Sequence, residues 1–438
     1  MCKIIGFGQI GSVIGACLAD KGHQISAIDN DDKKISHFEK YGFYSDEPNL
    51  TNLIEKNKEH ITYTNDYGIL ATVDICILTI GTPLKADMTP DLQGLFDSSK
   101  LLKKHINNEA LIVYKSTVTP GTTRQIASEI FGKNTKYKIS YSPERLAEGS
   151  AISDFKSTPI IIGALNPVDA NLFKAFWKDI GLEVISVSSP EVAELTKLCD
   201  NIWIDLNIAL ANELAILSDK AQLNLDILEV ISAANSLKKG ASTVNILTPS
   251  FGVGGYCLPK DPWFLASFAK RNGIEMSTPK VARKINNTTP KYWAKKIHTQ
   301  IQSVFSSKNE LKVAVLGFAF KSNTGDCRNT PVKVFIDELK LLGSYEMVIF
   351  DPLVDENTLS EFNLQKSENL SEVLTDAHVV AFMCGHEQFY SITAREISIL
   401  VCRDAIVFDG RMYFDHRKIS EFRDNGLTYI GIGRGGIS

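Results

Sequence analysis

The sequence has little that suits a metal. Its eight cysteines, at 2, 17, 76, 199, 257, 327, 384 and 402, include no CxxC pair and no Cys/His ligand spacing. Structural zinc is not expected, and thiols scattered through a long chain point to a reducing compartment. Charge of one sign is also scarce. Lys and Arg number 47 against 51 Asp and Glu, a net charge of -4, so no basic field exists to hold nucleic acid or an anionic membrane. No window reaches the ~18 uninterrupted apolar residues of a membrane span, and no short-period repeat or low-complexity run occurs. The stretch Ile4 to Ala19 has the length of a secretory signal core, but its glycines have the spacing of a phosphate-binding turn, and the next strand ends in an acid. A discarded signal needs neither. A cytoplasmic protein with no nucleic-acid or membrane partner is expected, and 438 residues with 44% hydrophobic and 22% charged composition predict two or three domains.

What is present is a regular alternation of apolar runs and amphipathic stretches, the pattern of a parallel, doubly wound sheet. Strands are expected at Lys3-Gly6, Gln24-Asp29, Val73-Thr79, Ala110-Lys115, Ile139-Ser142, Ile160-Gly163 and Glu183-Val187. Ser189, Pro190 and Glu191 form an N-cap, an N1 proline and an acidic first turn, which start a long helix running to about Ala221. A Gly/Pro/Ser-rich loop spans Gly240 to Pro262, and a second alternating unit follows with Leu311-Gly317, Met347-Asp351, Val379-Met383 and Ala405-Asp409. The fold class expected is α/β, two Rossmann-like domains joined by a central long helix. The boundaries expected are 1-188, 189-290 and 291-438.

Gly6-Phe7-Gly8-Gln9-Ile10-Gly11 follows a strand and opens a helix, so its backbone N-H groups and the helix dipole can face a pyrophosphate. Asp29 ends the second strand, where a carboxylate accepts ribose hydroxyls and repels a 2'-phosphate. Together they predict NAD; the alternative is a glycine turn serving only tight packing. Thr79 to Pro83 and Ser116 to Gly121 fall just after the third and fourth strands, where their hydroxyls either meet ligand or simply cap turns. Glu144 and Glu148 in SPERLAEG would share a face if helical, as base and substrate ligand or as a solvated ion cluster. Lys197, Asn201 and Asp205 form one polar stripe on the long helix, which either faces solvent or stabilises a developing oxyanion. In GVGGYCLPKD, glycines crowd Cys257, and Lys260 follows it. Glycines permit close approach of a ligand, and a neighbouring cation favours the nucleophilic thiolate.

Taken in order, these segments resemble the UDP-glucose/GDP-mannose dehydrogenase family over essentially the whole chain. The matching motifs include Glu47-Pro48, GTP at Gly81 to Pro83, STVTPG, SPERLAEG, KLCDN at 197 to 201, NIALANELA at 207 to 215 and GGYCLPKD at 254 to 261. They continue with GFAFK ending at Lys321, Asp326 with Arg328, FDP at 350 to 352 and FDGR at 408 to 411. The resemblance implies an NAD domain, a dimer-forming helical centre and a UDP-binding C-terminal domain. It implies four-electron oxidation of the C6 hydroxyl of a UDP-sugar, in polysaccharide biosynthesis, by a homodimer. Cys257 would be the covalent nucleophile. Lys197, Asn201 and Asp261 would manage the C6 oxygen and an ordered water, with Thr117 beside that water and Glu144 as base for thioester hydrolysis. Gly6, Gly8, Gly11, Asp29, Lys34, Thr82, Thr117, Glu148 and Arg328 would hold NAD, while Glu148, Lys197, Asn201, Gly254 and Lys321 would hold substrate. No metal is implied.

The substrate signals diverge. GGYCLPKD resembles UDP-glucose enzymes, whereas Pro262 to Leu265 and NIALANELA resemble UDP-N-acetylhexosamine enzymes. An arginine common in the family has no match at Ala241 or Thr243, and Ile204 replaces another; Lys238 or Lys239 would be the compensating cations. UDP-glucose is the expected substrate, with UDP-N-acetylglucosamine or UDP-N-acetylmannosamine the alternative. A two-electron NAD dehydrogenase with a structural Cys257, or a non-catalytic NAD-responsive regulator, would be the competing functions.

Overall fold

Short, mostly apolar runs become strands here because they are covered on both faces, which removes any need for alternation. In a computed structural model describing residues 1–43, 45–221, 223, 225–240, 242–306 and 310–435, all four side chains of Cys2–Ile5 (β1), Ile25–Ile28 (β2) and Ile75–Leu78 (β4) are buried. With Ile61–Thr64 (β3), Leu111–Tyr114 (β5), Lys138–Tyr141 (β6), Ile160–Ala164 (β7) and Val184–Val187 (β8) they form one sheet in the order β3-β2-β1-β4-β5-β6-β7-β8. Every pairing is parallel except β6 with β7. The first six strands have Rossmann order, with the topological switch between β1 and β4. Strand β3 escapes notice in the sequence because it is a sheet edge with only Ile61 buried, so its residues, Ile-Thr-Tyr-Thr, make no apolar run.

The chain divides into two compact units, Met1–Asn201 with Lys260–Met276, and Ile202–Pro259 with Ser277–Ser438. In the first, helix Gln9–Ala19 (α1) buries Val13, Ile14, Cys17 and Leu18 in a cluster with Phe173 and Trp177. A second cluster around Leu95, Tyr114 and Tyr141 forms the unit's other core. The long helix Pro190–Lys220 (α2) begins where its capping signal falls, with the Ser189 hydroxyl accepting the Val192 N–H, and ends one residue before the expected Ala221.

The second unit repeats the theme. Leu311–Leu316 (β9), Tyr345–Phe350 (β10), Val379–Phe382 (β11), Ile406–Asp409 (β12) and Thr428–Gly431 (β13) form an all-parallel sheet in the order β10-β9-β11-β12-β13. Strand β13, another mixed edge strand, is again the one the sequence pattern misses. Helices Ile227–Asn235 (α3) and Ser277–Phe305 (α5) belong to this unit, whereas Asp261–Arg271 (α4) belongs to the first. Gly317, after β9, has φ +89°, as Gly6 after β1 has φ +88°. Both turns therefore use the left-handed region that glycine enters without penalty. No described helix is long and apolar enough to cross a membrane.

Trp177 is fully buried and packs edge-on against Phe155 and Phe176. Trp177→Ala should lower stability by about 3–5 kcal/mol, read from the shift in urea midpoint at unchanged slope.

Candidate active site

The glycine turn is built for a close ligand. A Cβ on Gly11 would stand 2.2 Å from the Gly6 carbonyl oxygen, while one on Gly8, at the N-cap of α1, would meet nothing within 4 Å. Gly11 is thus needed for packing, and Gly8 opens the backbone toward the strand ends. The Thr79 hydroxyl donates to the Gly6 carbonyl (2.6 Å) and ties the turn to the end of β4. Asp29, just past β2, accepts the Phe7 N–H at 3.1 Å and the Lys34 ammonium. Lys34 is therefore an ion-pair partner of the very carboxylate expected to select NAD.

The loops after β4, β5 and β6 are bonded to one another. The Thr82 hydroxyl donates to the Thr117 carbonyl at 2.7 Å. Lys115 is buried and donates to the carbonyls of Ser142 and Pro143, and desolvation pushes its pKa down. The Ser116 and Ser142 hydroxyls are buried without a hydrogen-bond partner among the described residues, as polar atoms awaiting a ligand or water would be. SPERLAEG is not helical, so Glu144 and Glu148 do not form an i,i+4 pair; Glu144 instead accepts the Leu146 N–H in a local turn. Glu47 accepts the N–H groups of Gly149 and Ala151, both at 2.7 Å, which fixes the end of this loop.

The polar stripe of α2 does not face solvent. Lys197, Asn201 and Asp205 are 6%, 7% and 1% exposed. In the first unit, the Asn201 amide donates to Asp261, whose other oxygen lies 2.8 Å from the Lys260 ammonium. Lys260 also lies over the Phe264 ring, so its charge is matched locally by Asp261. Burial, reinforced by Glu194, Asp261 and Glu144, pushes the Tyr141 hydroxyl well above its ordinary pKa. Asp205 serves elsewhere. In the second unit it pairs with Arg283 at 2.6 Å and accepts the Asn286 amide.

Glu194, one turn before Lys197, carries no motif that would mark it in the sequence. Fully buried, it accepts the N–H groups of Gly121 (2.6 Å) and Thr123 (2.8 Å), and so anchors the loop bearing Thr117. Its only sequence signal is a charged residue on the buried face of an amphipathic helix.

Cys257, Gly254, Lys321 and Arg328 belong to the second unit. Cys257 and Cys199 are exposed and Cys402 is half-buried, whereas Cys2, Cys17, Cys76, Cys327 and Cys384 are buried. A Cβ on Gly254 would fall 2.6 Å from Phe320, and Gly255 has φ +84°, so both glycines are required by the backbone path. The Gly255 N–H donates to the Arg328 carbonyl, and the Arg328 side chain pairs with Asp326. Ala241 lies outside the described residues; Thr243 is exposed on a short hairpin with Lys238 and Lys239.

An open glycine turn at the switch point of a Rossmann sheet, backed by a strand-end acid, defines a dinucleotide-dependent α/β enzyme. Family models for the NAD binding, central and UDP binding domains of the UDP-glucose/GDP-mannose dehydrogenase family match residues 1–181, 191–288 and 314–416. A UDP-N-acetyl-D-mannosamine dehydrogenase of Pyrococcus horikoshii is 27% identical over 441 residues, covering 99% of each chain. A UDP-glucose 6-dehydrogenase of Rickettsia bellii is 30% identical over 439 residues, covering 98% of each. A solved structure of the UDP-D-ManNAc dehydrogenase from P. horikoshii superposes with a TM-score of 0.86 at 26% identity, covering 100% of both chains. The chain belongs to the UDP-glucose/GDP-mannose dehydrogenase family, and it is an NAD-dependent nucleotide-sugar dehydrogenase.

Burial pushes the pKa of Glu194 up to about 7, against the lowering effect of the Thr123 and Gly121 donors. The folded chain therefore holds this proton more tightly than the unfolded chain. The resulting stabilisation is complete below about pH 4.5 and is lost as pH rises through about 7. Urea midpoints should show the wild type losing stability relative to Glu194→Gln across that window and holding a constant difference above it. At the cofactor turn, Asp29→Ala would leave the Lys34 ammonium without its carboxylate. Its kcat/KM for NADP relative to NAD should rise by roughly tenfold or more, the equivalent of one charge-assisted hydrogen bond.

Proposed function

We propose that the chain oxidises the C6 hydroxyl of a UDP-N-acetylhexosamine, UDP-N-acetyl-D-mannosamine foremost, to the carboxylate. The reading rests on the full-length similarity, in sequence and structure, to the P. horikoshii UDP-N-acetyl-D-mannosamine dehydrogenase. Pro262 to Leu265 and the NIALANELA segment support it. This reverses the order of preference drawn from the sequence. UDP-glucose becomes the second reading, supported by the R. bellii relative and by GGYCLPKD. Residues 1-188 serve NAD, 189-290 form the central region and 291-438 take the UDP moiety, with Lys321 and Gly254 against substrate.

Bound NAD would supply the hydride acceptor for each of two oxidations at C6. Gly6, Gly8 and Gly11 would give its pyrophosphate room and N–H donors, Asp29 would accept from its ribose, and Thr82, Thr117, Lys34, Glu148 and Arg328 are the further residues proposed to hold it. The Cys257 thiolate adds to the aldehyde left by the first oxidation, and the thiohemiacetal so formed keeps C6 from diffusing away. The second oxidation leaves a thioester on Cys257. Lys197 and Asn201 carry donors suited to the oxygen on C6, where negative charge develops, and the buried Asn201–Asp261 pair holds that donor in place. Glu144 takes the proton from the water that cleaves the thioester, releasing the acid and the thiol.

A homodimer is part of the same proposal. Val192, Leu195, Trp203, Leu210 and Leu217 are exposed and recur on one face of α2, an apolar row that a second copy would cover.

Initial rates of NADH release with UDP-N-acetylmannosamine, UDP-N-acetylglucosamine, UDP-glucose and GDP-mannose test the ranking, with two NADH per sugar expected. Cys257→Ala should abolish acid formation and leave NAD affinity within about twofold, a change of under 0.5 kcal/mol. Acid formation at an undiminished rate in that variant would refute Cys257 as nucleophile. Light scattering should return twice the chain mass for the wild type and one chain mass for Trp203→Asp.

A further inference from the structure

From Val244 to Pro259 the chain forms neither helix nor strand, yet it leads directly to Cys257. Partly buried backbone without a ladder must find its hydrogen bonds elsewhere. Here asparagine side chains supply them, two of them buried. The Asn207 amide, 4% exposed on α2, donates to the Asn245 carbonyl at 2.5 Å and accepts the Leu247 N–H at 2.8 Å. One side chain thus copies both bonds of a strand partner. Asn235, at the end of α3, donates to the Ile246 carbonyl at 2.9 Å and accepts the Ile246 N–H at 2.8 Å. Asn212, fully buried one and a half turns beyond Asn207, accepts the Ser250 N–H at 2.8 Å and donates to Asn286 on α5 at 3.0 Å. Past the glycines, the Asn329 amide donates to the Gly255 carbonyl at 3.0 Å. Between these points the Ser250 hydroxyl donates to the Gly252 carbonyl.

We propose that Asn207, Asn212, Asn235 and Asn329 are positioning residues, an amide scaffold that fixes the backbone approaching Cys257 and thereby sets where its sulfur stands. Asparagine suits this role because a single amide presents a donor and an acceptor side by side, matching one C=O and one N–H of an extended chain. A carboxylate of the same shape has no donor and would face the Asn245 carbonyl oxygen with a negative charge. A protonated carboxylic acid has both groups again. The scaffold rests on the reading of Cys257 as nucleophile only for its effect on turnover.

Asn207→Asp tests it. At pH 8 its kcat should fall roughly 10- to 100-fold, the cost of misplacing a reacting group by about an ångström, with the KM for NAD unchanged. Lowering the pH to 6 should restore part of the activity relative to wild type, because burial opposite the Asn245 carbonyl raises the pKa of the new carboxyl, and its protonated form rebuilds the donor. The alkylation rate of Cys257 by iodoacetamide, followed on its own peptide by mass spectrometry, should rise several-fold at pH 8 as the loop loosens. Should Asn207→Asp not fold, Asn235→Asp, nearer the surface, carries the same expectations at smaller size. A folded variant with wild-type kcat and a wild-type alkylation rate overturns the scaffold. Undiminished acid formation by Cys257→Ala overturns the nucleophile instead, and the alkylation rate then decides the scaffold separately.

Discussion

A strand that ends at the carboxyl edge of a parallel sheet hands its chain to a turn whose N–H groups have no neighbouring strand to bond. Where such turns are drawn together around a ligand they are also shielded from water, and each unpaired N–H costs about 1–3 kcal/mol. In both units the solution is a largely buried carboxylate, most often one brought from elsewhere in the chain and, at Asp409, one at the end of the strand itself. Asp29 serves the turn after β1, Glu47 the loop after β6, and Glu194 the loop after β5. In the second unit Asp351 accepts the N–H groups of Phe318 and Ala319, and Asp409 those of Arg411, Tyr413 and Phe414. The loops that carry the candidate chemistry keep their shape because these acids are in place.

The two glycine turns show how one device serves different ends. Asp29 lies beside an open backbone at Gly8, so the turn keeps room for a dinucleotide. Asp351 is fully buried and also meets His386 and the N–H groups of Leu353 and Val354, so its acceptor capacity is consumed internally. A Cβ on Gly317 would fall 2.4 Å from Cys384. The second turn is closely packed at this glycine, in a domain that matches the family's UDP binding domain.

Helix α2 joins these requirements along one buried face. Glu194 anchors a loop, Lys197 and Asn201 present polar groups in the first unit, and Asp205, Asn207 and Asn212 organise the second. A helix whose inner face carries this many polar groups is held by hydrogen bonds as well as by apolar burial, and Glu194, Asn201, Asp205, Asn207 and Asn212 each have a partner of fixed direction. Toward the end of the same face Ala209, Ala211 and Ala215 are buried, and their small side chains let the packed neighbours come close.

The sequence by itself determined the strand-helix alternation, the glycine turn, the start of α2 and the family, because each is written in neighbouring residues: apolar runs, a Ser-Pro-Glu cap, ordered motifs. It missed β3 and β13, whose edge positions leave mixed, half-exposed residues with no periodic signature. Tertiary structure alone decided the partners of the buried polar groups. Nothing local distinguishes Lys197 in a buried stripe from a lysine in solvent, pairs Lys34 with Asp29, sends Asp205 to Arg283, or gives Asn207 the backbone of residues 245 and 247. Most of those bonds join positions tens of residues apart, and a charged or amide side chain advertises its capacity to bond but not the direction from which its partner arrives.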